Sequence, residues 1–358
     1  MFHFKAKQVL SKDIGMDLGT ATLLVFVEGK GIVLKEPSVV AVDTEENRIV
    51  KIGKDAQAML GRNPTNIDVI RPLKDGVISH YEVTQRMIQY FIRRACGNAV
   101  IPPRVVICVP TGVTEVEERA VIEAGKQAGA RKTYLIPEPV AAALGANIDI
   151  YSPVGNMIVD VGGGTTDIAV VALGGIVVAE SIKTAGDEFD EAIMSYVRRE
   201  HNVLIGNRTA EQVKIRIGAV YEHGEEKTME VKGRCMVQGL PKVVTLSSKK
   251  MLEAMMEPIS LILDAICSVV EKTPPELVGD ILKGGIVMTG GGSQLYGFDR
   301  LIEDVTGIRT RVAANPVDCV ALGTGRVLKL LDNLPEGMID LSRRSEERRV
   351  GKECRSRW

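Results

Sequence analysis

The sequence predicts an α/β protein made of two related halves that face one another across a cleft. Three observations carry this. Strand-like and helix-like stretches alternate along most of the chain, the pattern of layered α/β domains. One device occurs twice, about a domain length apart: an apolar strand ending in Asp, a Gly/Thr turn and a second strand, first in "DIGMDLGTATLLVFV" and again in "NMIVDVGGGTTDIAVVAL". Finally, 358 residues are too many for one compact core and suit two domains of ordinary size.

Taken in order, the first strand approaches Asp17, Gly19 and Thr20 make the turn, and Leu23–Val27 continue as a strand. "PSVVAVD" and "RIVKIG" follow as strands, and Glu82–Cys96 has helical apolar spacing. "RVVICVP" is a nearly continuous apolar run and predicts a strand buried on both faces. "TEVEERAVIEAGKQAGA" opens with Thr114 as N-cap and Glu117 three residues on, a capping box. "EPVAAALGA" is a short helix of small residues, able to pack closely on a neighbour. Met157–Val161 and Ile168–Leu173 then predict adjacent antiparallel strands joined by "GGGTT". Beyond them, "GDEFDEAIMSYVRREH" and "RTAEQVKIRIGAVY" are helical by spacing, and "EVKGRCMVQGLPKVVTLS" gives strands and turns. Met251–Glu271 predicts a long helix that stops before "TPPE", and "GGIVMTGGGSQLYGFDRLIEDVTG" a strand, a glycine turn and a helix.

The bulk composition narrows the partners. Net charge is near zero and no basic stripe interleaves with aromatics, which argues against nucleic acid. Six scattered cysteines lack any CxxC or Cys/His ligand spacing, so buried thiols in a reducing cytoplasm are expected rather than disulfides or zinc. No run is long enough to span a bilayer, and the N-terminus lacks the apolar core of a signal peptide.

The glycine turns suggest the chemistry. A turn without Cβ atoms exposes backbone N–H groups to an anion, and Thr20, Thr165 and Thr166 add hydroxyls at the same level. Two such turns from opposing halves can hold a β- and a γ-phosphate between them. Phosphates in a cleft call for a divalent cation, and Mg²⁺ favours carboxylates acting largely through its retained waters. Asp17 and Asp160, each at a strand end beside a turn, are the candidates, with Asp167 the third. Taken singly, each Asp also fits an Asx-type turn. The ordered occurrence of "DLGTA", "DVGGGTTD" and "TGGGSQLYG" is what makes the phosphate reading specific.

These motifs resemble the actin, Hsp70 and sugar-kinase superfamily of ATPases. Its two phosphate loops are similar to "DLGTA" and "DVGGGTTD", its connecting segments to "EPVAAALG" and "CVALGTGRVL", and its adenosine loop to "TGGGSQLYG". Within the superfamily the chain most resembles the MreB/Mbl family of bacterial actin homologues, from about Asp13 to about Leu334, through "EPSVVAVD", "RPLKDGVI", "AGDEFD", "IGNRTAE" and "EKTPPEL". The resemblance implies an actin-like (ribonuclease H-like) duplicated fold with a central nucleotide cleft. Domain I would cover 13–149 with a small subdomain at about 36–80, and domain II 150–334 with one at about 187–250.

It further implies ATP with Mg²⁺ held by Asp17, Asp160 and Asp167. Gly19, Thr20, Ala21 and Thr22 would line the phosphates from one side, and Gly162, Gly163, Gly164, Thr165, Thr166 and Asp167 from the other. Glu211 and Lys214, one helical turn apart, match a contact to adenosine and ribose, and Gly290, Gly291, Gly292 and Ser293 would back the adenine. Glu138 matches the position that orients the attacking water, with Thr165 and Thr166 beside it; without the resemblance it reads as a helix N-terminal carboxylate favoured by the dipole. Two departures, Thr22 where Asn is common and Pro137 where an acidic residue is common, leave the hydrolysis rate open.

The family likeness also implies slow ATP hydrolysis, self-assembly into antiparallel double filaments on the inner face of the cytoplasmic membrane, and organisation of cell-wall elongation to keep a rod shape, with RodZ and MreC/MreD as partners. Two segments suit the membrane role. In "MFHFKAKQVLSKD", Phe2, Val9 and Leu10 share a helical face with lysines off it, though a frayed terminus fits equally. Val100 and Ile101 before a Pro-Pro pair suit an apolar membrane loop, or read alone a buried loop anchor. The last stretch, 343–358, is a basic, apolar-poor tail that reads as disordered or as foreign to the rest. A chaperone ATPase would need a substrate domain after the second connecting segment, and a sugar kinase an acceptor site; neither is legible here.

Overall fold

A computed structural model describes residues 12–97, 101–222, 224–333 and 337–339. The N-terminal amphipathic segment with Phe2, Val9 and Leu10, together with Val100 and the basic tail, lies outside the described residues; Ile101 is half-buried just ahead of a strand.

In the first half, β1 (Ile14–Leu18), β2 (Thr22–Val27) and β3 (Gly31–Pro37) form an antiparallel meander. A small three-stranded sheet follows, of β4 (Val40–Asp43), β5 (Arg48–Ile52) and β6 (Ile67–Ile70) with the short α1 (Lys54–Gln57), then a hairpin of β7 (Leu73–Lys74) and β8 (Val77–Ile78). Helix α2 (Tyr81–Cys96) leads to β9 (Arg104–Val109), and α3 (Glu115–Gln127) to β10 (Lys132–Pro137). Both strands join the meander in parallel, giving the order β3-β2-β1-β9-β10. The capping box of α3 forms as expected: the Glu117 N–H donates to Thr114 Oγ1, and the Thr114 N–H to Glu117 Oε2.

Helix α4 (Glu138–Gly145) carries the chain into a second half of the same plan. Another meander, β11 (Asn156–Val161), β12 (Thr166–Ala172) and β13 (Gly175–Ile182), is followed by α5 (Gly186–His201), β14 (Val203–Leu204), α6 (Asn207–Ile217), β15 (Thr228–Cys235) and β16 (Pro241–Ser247). Then come α7 (Ser248–Lys272), α8 (Pro275–Gly284), β17 (Ile286–Thr289), α9 (Phe298–Thr306) and β18 (Thr310–Val312). The main sheet runs β13-β12-β11-β17-β18, its last two strands parallel to β11's side, so its order repeats that of the first half; β14, β15 and β16 form a second small sheet. Finally α10 (Cys319–Leu328) crosses back, and β19 (Gly337–Met338) adds to the first sheet beside β10.

The period of two along each central strand explains why those strands are apolar throughout. In β9, Val105, Ile107 and Val109 enter a core with Phe91 and Ile88 of α2, while Val106 and Cys108 face the other way. In β11, Met157, Val159 and Val161 pack with Phe189 of α5 and Ile262 of α7, while Ile158 turns to the side of Val106. That shared side is a third core, built by both sheets around α4 and α10. Full burial of each such Ile, Val or Phe contributes roughly 1.5–3 kcal/mol, so the two halves are joined by a real interior and not by linkers alone.

The two connecting helices touch backbone to backbone. A Cβ on Gly145 would lie 1.8 Å from Cys319 O, and one on Gly323 1.8 Å from Ala141 O. Only glycine fits either place, and the small-residue character of "EPVAAALG" is thereby accounted for.

Some boundaries differ from expectation. β12 starts at Thr166, so the turn is Gly162–Thr165. α6 stops at Ile217 because Gly218 adopts extended backbone and Ala219 bridges to Tyr296. α7 begins three residues early, at Ser248, and keeps Pro258 inside it. All five cysteines among the described residues are free thiols, three of them buried. Among the described residues no helix is long and apolar enough to cross a membrane.

Candidate functional site

The two glycine turns meet. Gly162–Thr165 is closed by the Gly162 N–H donating to Thr165 O at 2.9 Å. A Cβ on Gly163 would stand 2.5 Å from Ala21 Cβ, and one on Gly164 2.8 Å from Thr20 Oγ1, so glycine lets one turn press against the other. A third piece seals the contact. The β7–β8 hairpin turns at Asp75 and Gly76, with φ of 50° and 76°, the left-handed pair of a type I′ turn. The Gly76 N–H donates to Thr20 Oγ1 at 3.1 Å.

Beneath and beside the turns lies a cavity of about 630 Å³, within the range of a nucleotide-sized site. Of the residues singled out from sequence, Asp17, Gly19, Thr20, Ala21, Thr22, Glu138, Asp160, Gly162, Gly163, Gly164, Thr165, Glu211, Lys214, Gly290, Gly291 and Gly292 line it. Glu211 and Lys214 project from one face of α6, and Lys214 Nζ donates to Gly186 O at 2.6 Å and Asp190 Oδ2 at 3.0 Å. Gly290 to Gly292 follow β17 on the opposite wall, where the Gly290 N–H donates to Pro316 O.

Three expected residues lie outside the wall. Thr166 is buried and its hydroxyl donates to Thr184 O at 2.7 Å, because the strand's alternation turns it to the face opposite Asp167. The geometry therefore offers Thr166 no direct contact with a ligand in the cavity. Ser293 is buried and donates to Gly290 O, bracing the loop from behind. Asp167 is fully buried; its Oδ1 accepts from the Thr111 N–H at 2.8 Å and the Thr111 hydroxyl at 3.0 Å.

Four carboxyl groups thus gather at the phosphate end. Burial raises Asp17 to about 7, opposed by the Cys108 thiol, which donates to its Oδ1 at 3.5 Å. Burial likewise raises Asp160 to about 7, opposed by the Thr289 hydroxyl donating at 2.7 Å and reinforced by Asp17 and Asp167. Glu138, at the first turn of α4, is pushed well above the usual carboxylate range by burial and then by repulsion from Asp167, Asp160 and Asp17. Asp167 is also raised by burial, against the two Thr111 bonds. Its Oδ2 is buried and receives no hydrogen bond, and Glu138 is the neighbouring carboxyl with which it can share a proton.

This cluster is rich in negative charge and poor in cations, so it is built to receive positive charge. Among the described residues no three Asp, Glu, His or Cys side chains converge as a cage around a bare ion. All-oxygen donors beside phosphate turns fit a hard divalent cation such as Mg²⁺.

Several residues of the site lie in stretches that resemble the family, "RPLKDGVI" and "AGDEFD", without being singled out there as lining a cleft. Arg71 and Asp187 pair at 2.7 Å and both line the cavity, yet stand 116 residues apart. Asp190, raised by burial to about 6 despite Lys214, lines it too. The Asp75–Gly76 turn is legible in the sequence, since Asp-Gly between short strands, here Leu73–Lys74 and Val77–Ile78, is a strong hairpin signal.

Two main sheets, of six and five strands, that repeat one five-strand order, with paired connecting helices and a cleft walled by three glycine loops, define an actin-like protein. A family model described as "MreB/Mbl protein" matches residues 11–336. The cell shape-determining protein Mbl of Bacillus subtilis is 47% identical over 329 residues, 92% of this chain and 99% of that protein. The cell shape-determining protein MreB of Escherichia coli is 46% identical over 334 residues, 92% and 96% of the two chains. Among solved structures, MreB5 of Spiroplasma citri bound to ADP superposes with a TM-score of 0.86 at 38% identity, covering 90% of this chain and 97% of that one. The MamK double helical filament subunit, at 23% identity and a TM-score of 0.77, shares the fold. The chain belongs to the MreB/Mbl family.

Proposed function

We propose that the chain is a slow ATPase of the bacterial cytoskeleton, which assembles into antiparallel double filaments on the inner face of the cytoplasmic membrane and organises cell-wall elongation. The observation that carries the ATPase reading is the meeting of two glycine turns over three buried carboxyl groups and the half-buried Asp17. The relatives' names as cell shape-determining proteins, and the MreB5 structures titled as bound to ADP and AMPPNP, support the cellular role and the ligand.

In this reading the N–H groups of both turns hold the β- and γ-phosphates, with Thr20, Thr22 and Thr165 adding hydroxyl donors. Glu211 and Lys214 take the ribose side, and Gly290 to Gly292 the adenine. Asp17, Asp160 and Asp167 would hold Mg²⁺, which would supply the charge neutralisation that phosphoryl transfer needs. Glu138 orients the attacking water; its raised affinity for protons suits it to accept one once positive charge enters the cleft. Contacts with RodZ, MreC/MreD and the lipid surface through Phe2, Val9, Leu10, Val100 and Ile101 belong to the same proposal and rest on the family likeness.

The test is electron microscopy of purified protein with ATP and Mg²⁺ on anionic lipid, with phosphate release measured on the same sample. Paired filaments on the lipid and slow release are expected. Glu138→Ala should lower the release rate by about 100-fold while nucleotide still binds; unchanged release would remove Glu138 from its role, and a soluble monomer would remove the cytoskeletal reading.

A further inference from the structure

We propose that Thr111 is a positioning residue that sets Asp167 in its working orientation only while the two halves are closed, a reading that rests on the ATPase function above. Thr111 directs two donors, its N–H and its hydroxyl, at the same atom, Asp167 Oδ1, at 2.8 and 3.0 Å. The terminal torsion of a carboxylate is soft, and two donors on one oxygen fix it. The other oxygen is thereby assigned. Asp167 Oδ2 is buried and accepts no hydrogen bond; the Ser181 and Thr165 hydroxyls lie close enough to favour the charged form without donating to it in hydrogen-bond geometry. A buried carboxylate oxygen without a donor is costly, so Oδ2 is the atom left for the proton shared with the neighbouring Glu138, which itself lines the cavity.

Donor and acceptor belong to different halves. Thr111 sits in the loop after β9 of the first sheet, and Asp167 in β12 of the second, opposite Ser181 of β13. The loop is seated from both sides: a Cβ on Gly112 would lie 3.4 Å from Ser181 Cβ, and Pro110 packs against Gly76, whose Cβ position is 2.6 Å from Pro110 Cγ. Separation of the halves would withdraw both donors at once and free the Asp167 carboxylate to rotate. Neither Thr111 nor Asp167 lines the cavity, whereas Glu138 does, so Thr111 acts through Asp167 and its neighbour Glu138 and not on the nucleotide.

Thr111→Val keeps the side-chain shape and the N–H but removes the hydroxyl donor, while Thr111→Ser keeps the hydroxyl. Each full-length variant is compared with wild type in three measurements: kcat for phosphate release, Kd for a fluorescent non-hydrolysable ATP analogue, and the Mg²⁺ concentration that half-saturates analogue binding. Thr111→Val should lose about tenfold in kcat, the size of one charge-assisted hydrogen bond, with analogue Kd at saturating Mg²⁺ unchanged and the Mg²⁺ requirement raised; Thr111→Ser should restore both. Wild-type kcat or an unshifted Mg²⁺ requirement in Thr111→Val overturns the proposal. So does an equal loss in both variants, or an analogue Kd that rises in step with the fall in kcat, since either reports general loosening. A wild-type protein that binds the analogue but releases no phosphate would sink the ATPase reading itself, which separates the two failures.

Discussion

At the scale of single residues, the cleft gathers the half-buried Asp17 and the buried Glu138, Asp160 and Asp167, each with its proton affinity raised. A carboxyl group that binds its proton more tightly when folded stabilises the fold at low pH and ceases to as pH rises. For Asp17 and Asp160 the contribution is whole below the ordinary carboxylate value of 3.8 and is lost by the time pH passes about 7. Protein freed of nucleotide and metal is therefore expected to melt at a lower temperature at about pH 8 than at about pH 5, and Asp160→Asn to flatten that dependence. Differential scanning calorimetry in chelator checks it; a melting temperature that rises over this interval in wild type, or an unchanged slope in the variant, would contradict the account. Glu138 and Asp167 carry the same sign, so each single variant removes only part of the slope. The aspartates were legible from sequence because each ends an apolar strand beside a glycine turn. Their mutual repulsion was not, because Asp160 and Asp167 become cross-strand partners only once the Gly162–Thr165 turn closes.

At the scale of elements, the crossing of α4 and α10 is the feature with the least tolerance. Adding one methyl at Gly323 places a carbon 1.8 Å from Ala141 O, and backbone cannot move aside as a flexible side chain can. Gly323→Ala is expected to destabilise the protein by about 3 kcal/mol, the upper part of the range for overpacking. Gly279, in the middle of α8, has nothing within 4 Å of its Cβ position, so Gly279→Ala should instead stabilise by about 0.5–1 kcal/mol through helix propensity. Urea denaturation of both variants decides the matter, and two changes of the same sign would show that contact at the crossing is not what matters. Sequence reading found α4 as a close-packing helix from its run of alanines and found α3 from its capping box, because both signals are local. It placed Thr166 in the turn and carried α6 past Ile217 because pairing across β11 and β12, and the bridge from Ala219 to Tyr296, are tertiary events that propensity does not report.

At the scale of the whole molecule, closure rests on contacts between residues far apart in sequence. Lys35 pairs with Asp318 at 3.0 Å across 283 positions, and Arg71 with Asp187 at 2.7 Å across 116. No spacing rule joins such residues, so their pairing emerged only with the fold, whereas the duplicated strand–Asp–turn device announced the two halves at once. The Arg71–Asp187 pair has a further reach, because the Asp187 N–H donates to Gly163 O at 2.8 Å, tying the ion pair to the second glycine turn. Both side chains are about one-third exposed, at 33% and 28%, so the pair is worth only what a partly screened ion pair can give, about 0.5–1 kcal/mol. That amount corresponds to a two- to fivefold change in a rate. Arg71→Ala is accordingly expected to speed release of a fluorescent nucleotide by about that factor at low salt, and the difference from wild type should shrink as ionic strength rises and the Debye length shortens. Exchanging the partners, with Arg71→Asp and Asp187→Arg together, should bring the release rate back toward wild type, because the attraction across the mouth of the cleft is restored with its direction reversed. Stopped-flow displacement of the labelled nucleotide measures all five proteins, wild type and the two single charge reversals included. If the double exchange releases nucleotide as fast as either single reversal, the mouth is held by the shape of its walls and not by this charge pair.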